Sequence, residues 1–270
     1  MREHERRIHI ALHGAAGRMG QALLRAAAAR SDLAVSAALV RPGSPLIDAP
    51  LRQLLGAQAG DLEFRAALDP DTPVDVLIDF SGPQAFEGAL ALALERRVAF
   101  ISGTTGLAAA QLAELRRAAQ AIPVLWASNF SLGVALMQRF ARMAARVLPD
   151  WDCEIVEMHH RRKLDAPSGT ALSLGEAVAQ GRGIALDTVA AHGRRGQIGE
   201  RPAGQIGFHA LRGGDVVGEH TVIFASDDER IEFTHRAANR DLFARGALLA
   251  AQRLAVADPG FYAMDDVLGD

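Results

Sequence analysis

Ile8-His9-Ile10-Ala11-Leu12-His13-Gly14-Ala15-Ala16-Gly17-Arg18-Met19-Gly20 decides the fold. Ile8 to Leu12 reads as a short buried strand. The glycines follow at once, and Gln21 to Arg30, rich in Ala and Leu, reads as a helix. Leu33 to Val40 then reads as a second strand, which completes a β-α-β unit. A glycine-rich turn at a helix N-terminus lets phosphate oxygens approach backbone N–H groups and the positive end of the helix dipole. Ala16 stands in place of the middle glycine of GxGxxG, so the reading leans on the strand before, the helix after and the second strand on schedule. Dinucleotide binding is the expectation.

The end of the second strand bears on which dinucleotide. An NAD-type site carries an acidic residue there, bonded to the ribose 2′-hydroxyl. This chain has Val40 followed by Arg41. An arginine in that place can pair with a 2′-phosphate, so NADPH is the expected cofactor, with NADH second.

Further α/β units lie downstream. Val74 to Phe80, Val98 to Ile101 and Val124 to Trp126 read as strands, with helices over Gln84–Arg96 and Ala109–Gln120 between them. Strands alternating with helices imply a parallel sheet with ligands beyond its carboxyl ends. The turns there, Gly103-Thr104-Thr105 and Ala127-Ser128-Asn129-Phe130, are candidates for the nicotinamide side.

From Ser131 the pattern changes. A helix to Val147 carries Val134, Met137, Phe140 and Ala144 at helical spacing. A strand from Cys153 to Met158 follows, then a helix capped by Ser168 and running to about Gln180. Gly181 to Gly204 reads as a long loop. Ile206–Leu211, Val216–Ala225 and Arg230–His235 read as strands, which suggests an antiparallel arrangement. Asp241 to Ala255 is a final helix with a short tail. The fold expected is α/β: a Rossmann-type doubly wound parallel sheet plus a smaller α+β domain with an open mixed or antiparallel sheet. Residues 1–129 with 241–270 would bind the dinucleotide, and residues 130–240 the substrate.

Composition excludes several functions. The formal net charge is −3, with 49% hydrophobic and 23% charged residues. No basic block exists to hold nucleic acid or an anionic membrane. The polar start, Met1 to Arg7, lacks the apolar core of a signal peptide, and no apolar run is long enough to span a bilayer. Cys153 is the only cysteine; it reads as a small buried hydrophobe in a reducing cytoplasm. No metal site is expected.

Glu157-Met158-His159-His160-Arg161-Arg162-Lys163-Leu164-Asp165-Ala166-Pro167-Ser168-Gly169-Thr170-Ala171 concentrates the chemistry. Lys163 is the only lysine beside 28 arginines, and lysine is a compact charge where arginine is a planar fork. Of the adjacent His159 and His160, one can handle a proton and the other can bond an anion. Structural hydrogen bonding by the pair, or metal ligation by one of them, is the plain alternative. Lys163 and the helix start at Ser168-Gly169-Thr170 suit a substrate with two carboxylates.

This segment resembles the signature of the 4-hydroxy-tetrahydrodipicolinate (dihydrodipicolinate) reductases. So do Gly17-Arg18-Met19-Gly20, Gly103-Thr104-Thr105-Gly106, Asn129-Phe130-Ser131 and Gly213-Gly214-Asp215-Val216-Val217-Gly218-Glu219-His220, in order. The resemblance implies reduction of a cyclic dicarboxylate with NADPH or NADH, in the diaminopimelate route to lysine. It implies His159 as proton donor and Lys163 as the second catalytic residue, with His160, Gly169 and Thr170 on a substrate carboxylate. It implies cofactor contacts at Gly14, Ala15, Ala16, Gly17, Arg18 and Met19, at Gly103, Thr104 and Thr105, and at Ala127, Ser128, Asn129 and Phe130. It also implies a homotetramer formed through the second domain, and a hinge near Asn129 and Arg240. Val40 departs from relatives that carry a glutamate there. Two other readings are an amino-acid dehydrogenase and a non-catalytic dinucleotide sensor; loss of the proton donor or lysine would mark the sensor, and both are present.

Overall fold

The computed structural model describes residues 7–59 and 61–269. Of the polar N-terminal stretch, Met1 to Arg6 lie outside the described residues. The described chain forms two compact units, one up to Phe130 and from Asp241 onward, the other Ser131–Arg240.

In the first unit, β1 (Ile8–His13), α1 (Arg18–Ala28) and β2 (Leu33–Leu39) form the β-α-β unit. Then come α2 (Arg52–Leu55), β3 (Phe64–Arg65), β4 (Val76–Asp79), α3 (Pro83–Arg96), β5 (Ala99–Ser102), α4 (Ala109–Ala118) and β6 (Pro123–Trp126). The sheet runs β12-β6-β5-β4-β1-β2-β3, all parallel. Successive strand residues face opposite ways. Ala11, Leu77, Phe100 and Val124 therefore share one face and pack with Phe86, Ala89 and Leu115 of α3 and α4. Strand order reverses between β1 and β4, the topological switch point where such sheets bind ligands.

Two strands were not legible. β3 is two residues long, and β12 (Gly260–Tyr262) lies in the tail expected to be short and plain; it pairs with β6 and leads into α8 (Met264–Leu268). Both are edge strands too brief to carry a period.

The second unit holds α5 (Leu132–Val147), β7 (Asp152–His159), α6 (Gly169–Arg182), β8 (Ala190–His192), β9 (Ile206–Arg212), β10 (Glu219–Ala225) and β11 (Arg230–Arg236). Its sheet runs β11-β10-β7-β9-β8. β10 pairs antiparallel with both β7 and β11, but β9 is parallel to β7 and to β8. The sheet is therefore mixed, not antiparallel. The supposed loop Gly181–Gly204 contains β8, because a three-residue edge strand among glycines and arginines shows no alternation.

One face of this sheet packs on α5 and α6 through Cys153, Ile155, Phe208, Val222 and Phe224. Each such fully buried Leu, Ile or Phe contributes about 1.5–3 kcal/mol. Phe140, read as a core residue, is 37% exposed; it rests against the Phe233 ring, at the rim of that core. Cys153 is buried as expected, and burial pushes its thiol up to about 12.

Candidate active site

The nucleotide half is built on the switch point. Gly14 follows β1 at φ +79°, and a Cβ there would sit 2.7 Å from the Phe80 carbonyl oxygen. Gly17 precedes the first residue of α1 with its own N–H on the Gly14 carbonyl at 3.0 Å. A Cβ on Gly20 would lie 2.4 Å from that same carbonyl. Only glycine fits positions 14 and 20, so the turn folds tightly under the helix end. Beside it lies a cavity of about 670 Å³, bordered by Gly14, Ala16, Gly17, Val40, Arg41 and Ser44 among others. The residues present fit a dinucleotide.

The expected contacts differ in what they can offer. Arg18 and Thr105 are exposed, Met19 is half-buried, and Ala15 is fully buried. Gly103 lies under the Phe80 ring, where a Cβ would come within 2.1 Å of a ring carbon. The Thr104 side chain turns inward and donates to Asp79 at 2.7 Å. Ala127 and Asn129 are half-buried and Ser128 is exposed. Phe130 is buried against the Phe80 ring, centroids 5.2 Å apart.

The residues expected to meet the substrate gather at the end of β7. Glu157 is 1% exposed. Its carboxylate accepts both Nη groups of Arg212 at 2.8 Å, the Ser168 N–H at 3.1 Å and lies 2.6 Å from His159 Nδ1. Burial disfavours its charge, but the bonds from Arg212 and His159 outweigh that and hold its carboxyl below the usual range. An ionised carboxylate only accepts. Nδ1 of His159 must therefore carry the hydrogen, and Nε2 is the atom that exchanges a proton. Burial lowers His159 from its ordinary value, Glu157 opposes, and the cations of Lys163 and Arg212 add to the lowering.

Past β7 the chain turns. The Lys163 side chain is 20% exposed and donates to both Asp165 oxygens, at 2.7 and 2.8 Å. Arg212 also donates to the Asp165 carbonyl at 2.7 Å. The His160 N–H is held by the Val216 carbonyl at 2.8 Å, while its buried Nδ1 has no partner among the described residues. Ser168 caps α6 by accepting the Ala171 N–H at 3.1 Å. Gly169 then opens the helix, and a Cβ there would meet nothing within 4 Å, so the N-terminal turn carrying Gly169 and Thr170 admits an anion at close range. One short segment thus presents a proton-bearing ring, an ammonium and a helix N-terminus.

Residues 8–130 match the model of the dihydrodipicolinate reductase N-terminus, and residues 133–268 match that of its C-terminus. The chain belongs to the dihydrodipicolinate reductase family. A 4-hydroxy-tetrahydrodipicolinate reductase of Alkalilimnicola ehrlichii is 49% identical, over 96% of this chain and 98% of its own. One of Parvibaculum lavamentivorans is 48% identical, over 97% and 98%. The dipicolinate-bound dihydrodipicolinate reductase of Paenisporosarcina sp. TG-14 shares the fold, with TM-score 0.75 and 24% identity over 95% of this chain and 97% of that one. These matches favour the reductase over the amino-acid dehydrogenase and the sensor.

Two residues that touch this segment were not singled out in the sequence. Arg212 closes the Glu157 clamp from 55 residues away, across the parallel β7–β9 pair. His220 lies 4% exposed beside His159, ring centroids 5.1 Å apart, and shares a 3.0 Å hydrogen bond with Ser168 Oγ. Its only sequence signal was its place closing the Gly213-to-His220 motif.

Burial, with His159, His235 and Lys163 adding and Glu157 opposing, pushes His220 down to about 4. The unfolded chain binds that proton near pH ~6.5. As pH falls below ~6.5, the unfolded chain takes up a proton that the folded chain refuses. Stability is therefore whole above that pH and is lost toward about 4, at no more than about 1.4 kcal/mol per pH unit for one group. The urea midpoint should fall between pH 7 and pH 5, and His220→Gln should lessen the fall. An equally steep fall in the variant would remove His220 as its source.

Proposed function

We propose that this chain catalyses the NAD(P)H-dependent reduction of 4-hydroxy-tetrahydrodipicolinate to tetrahydrodipicolinate in the diaminopimelate route to lysine. The clamp of Glu157 and Arg212 on His159, with Lys163 beside it, carries the reading. The nicotinamide supplies hydride when bound. The chain's own residues do the rest. His159 Nε2 delivers the proton, because Nδ1 is committed to Glu157. Lys163, His160 and the N-terminus of α6 meet the substrate's carboxylates.

NADPH is the preferred cofactor on this reading, since Arg41 borders the cavity where a carboxylate would otherwise refuse a 2′-phosphate. Among the described residues no helix is long and apolar enough to cross a membrane, and a cytoplasmic homotetramer is the form we assign. The uncovered face of the second sheet, with Val156 and Ile223 among its half-buried residues, is the surface through which copies would associate.

The test is cofactor oxidation by the purified protein with enzymatically generated substrate. We expect kcat/KM for NADPH to exceed that for NADH. Arg41→Ala should raise the KM for NADPH about 10-fold, the loss of one charge-assisted bond, and leave NADH unaffected. A clear preference for NADH would reject the Arg41 assignment, and no turnover with either cofactor would reject the activity.

A further inference from the structure

Asp79 is fully buried at the carboxyl end of β4. Its Oδ1 accepts Ser81 N–H at 3.2 Å and Ser81 Oγ at 2.6 Å, and lies 2.9 Å from His13 Nδ1. Its Oδ2 accepts Ser102 Oγ at 3.0 Å and Thr104 Oγ1 at 2.7 Å. Burial works against the charge, but the bonds from His13, Ser81 and Thr104 outweigh it and keep the carboxyl below its usual range. As an acceptor only, Asp79 fixes Nδ1 of His13 as the donor. The ring cannot turn over without losing that bond, so Nε2 is left as its free polar atom.

His13 and Asp79 are register partners on β1 and β4, the two strands at which the order reverses. The His13 side chain is 21% exposed, and it borders the same cavity as Gly14, Gly17 and Arg41. An imidazole held by a buried carboxylate at the rim of a phosphate-accepting turn offers a second, preset polar contact beside the backbone. Ser102 and Thr104 complete Asp79's shell, so the anchor does not depend on His13 alone.

We infer that His13 is a further binding residue of the dinucleotide site, its Nε2 accepting a hydroxyl of the adenosine-half ribose while Asp79 fixes the ring. This rests on the dinucleotide reading of the cavity, but not on Arg41. That ribose is common to NADPH and NADH, so His13 contributes to both, whereas Arg41 discriminates between them.

Asparagine can reproduce the Nδ1 donor of histidine but has nothing at Nε2. ADP, which both cofactors contain, is therefore the probe, titrated calorimetrically into the unaltered chain, His13→Ala and His13→Asn. Both variants should bind ADP about 3- to 10-fold more weakly, the effect of one neutral hydrogen bond. His13→Asn should keep the unliganded melting temperature, since the bond to Asp79 survives. If His13→Asn binds ADP as tightly as the unaltered chain, the ring is only Asp79's partner and the inference falls, whatever Arg41 does. If the unaltered chain itself fails to bind ADP, the dinucleotide reading of the cavity fails first.

Discussion

Replacing Lys163 with Ala should lower kcat/KM by about 10²–10³-fold, the scale on which losing one preset electrostatic contact acts. The ammonium is mostly shielded from solvent and fixed on Asp165, so little rearrangement is needed when a carboxylate arrives. Hydrogen bonding to Lys163, with its charge adding, holds Asp165 below the ordinary carboxylate range. Asp165 is itself well exposed, and it stays solvated when the lysine is gone. The loss should therefore appear in catalysis while the fold stays intact. Lys163→Arg restores the charge but not the shape, because a planar fork cannot occupy the place of a compact ammonium. It should recover only part of the rate. Steady-state kinetics at saturating cofactor separates two roles. A fall in kcat marks polarisation in the transition state, whereas a rise in KM alone marks a carboxylate anchor. If neither moves, the segment is not the catalytic one.

Replacing His159 with Gln should lower kcat by about 10²–10⁴-fold, the usual worth of a positioned acid. The amide cannot give up a proton. The pH dependence makes the test specific. His159 sits below its ordinary value through burial, so the protonated ring is lost as pH rises through a limb below ~6.5. In the free enzyme kcat/KM should decline with rising pH across that limb, and the Gln variant should show none. An unchanged limb in His159→Gln would assign the proton to another group.

Much of this was legible because it was local. The strand, the glycine turn and the helix of the nucleotide half lie within about thirty residues, and their periods differ sharply. His159, Lys163 and Gly169 stand within one short segment. What escaped notice was long-range. Arg212 reaches Glu157 across the parallel β7–β9 pair, and the sequence left both a mixed and an antiparallel sheet open. Asp79 read as one more residue of a buried strand, so neither its bond to His13 nor the inward turn of Thr104 could be foreseen. β8 and β12 were too short to alternate. Phe140 had the right spacing, but the core it rests on does not extend far enough to cover it.

The divided first unit has a consequence for synthesis. α7 (Asp241–Leu254) packs on α1 and on β4, β5 and β6, and β12 completes the sheet edge beside β6. All of this emerges from the ribosome after the whole of Ser131–Arg240. Domains generally fold as units in order of emergence. Here the middle unit is the first to have all its parts. The nucleotide half must wait, with one face of its sheet uncovered, until the segment from α7 through α8 has left the exit tunnel.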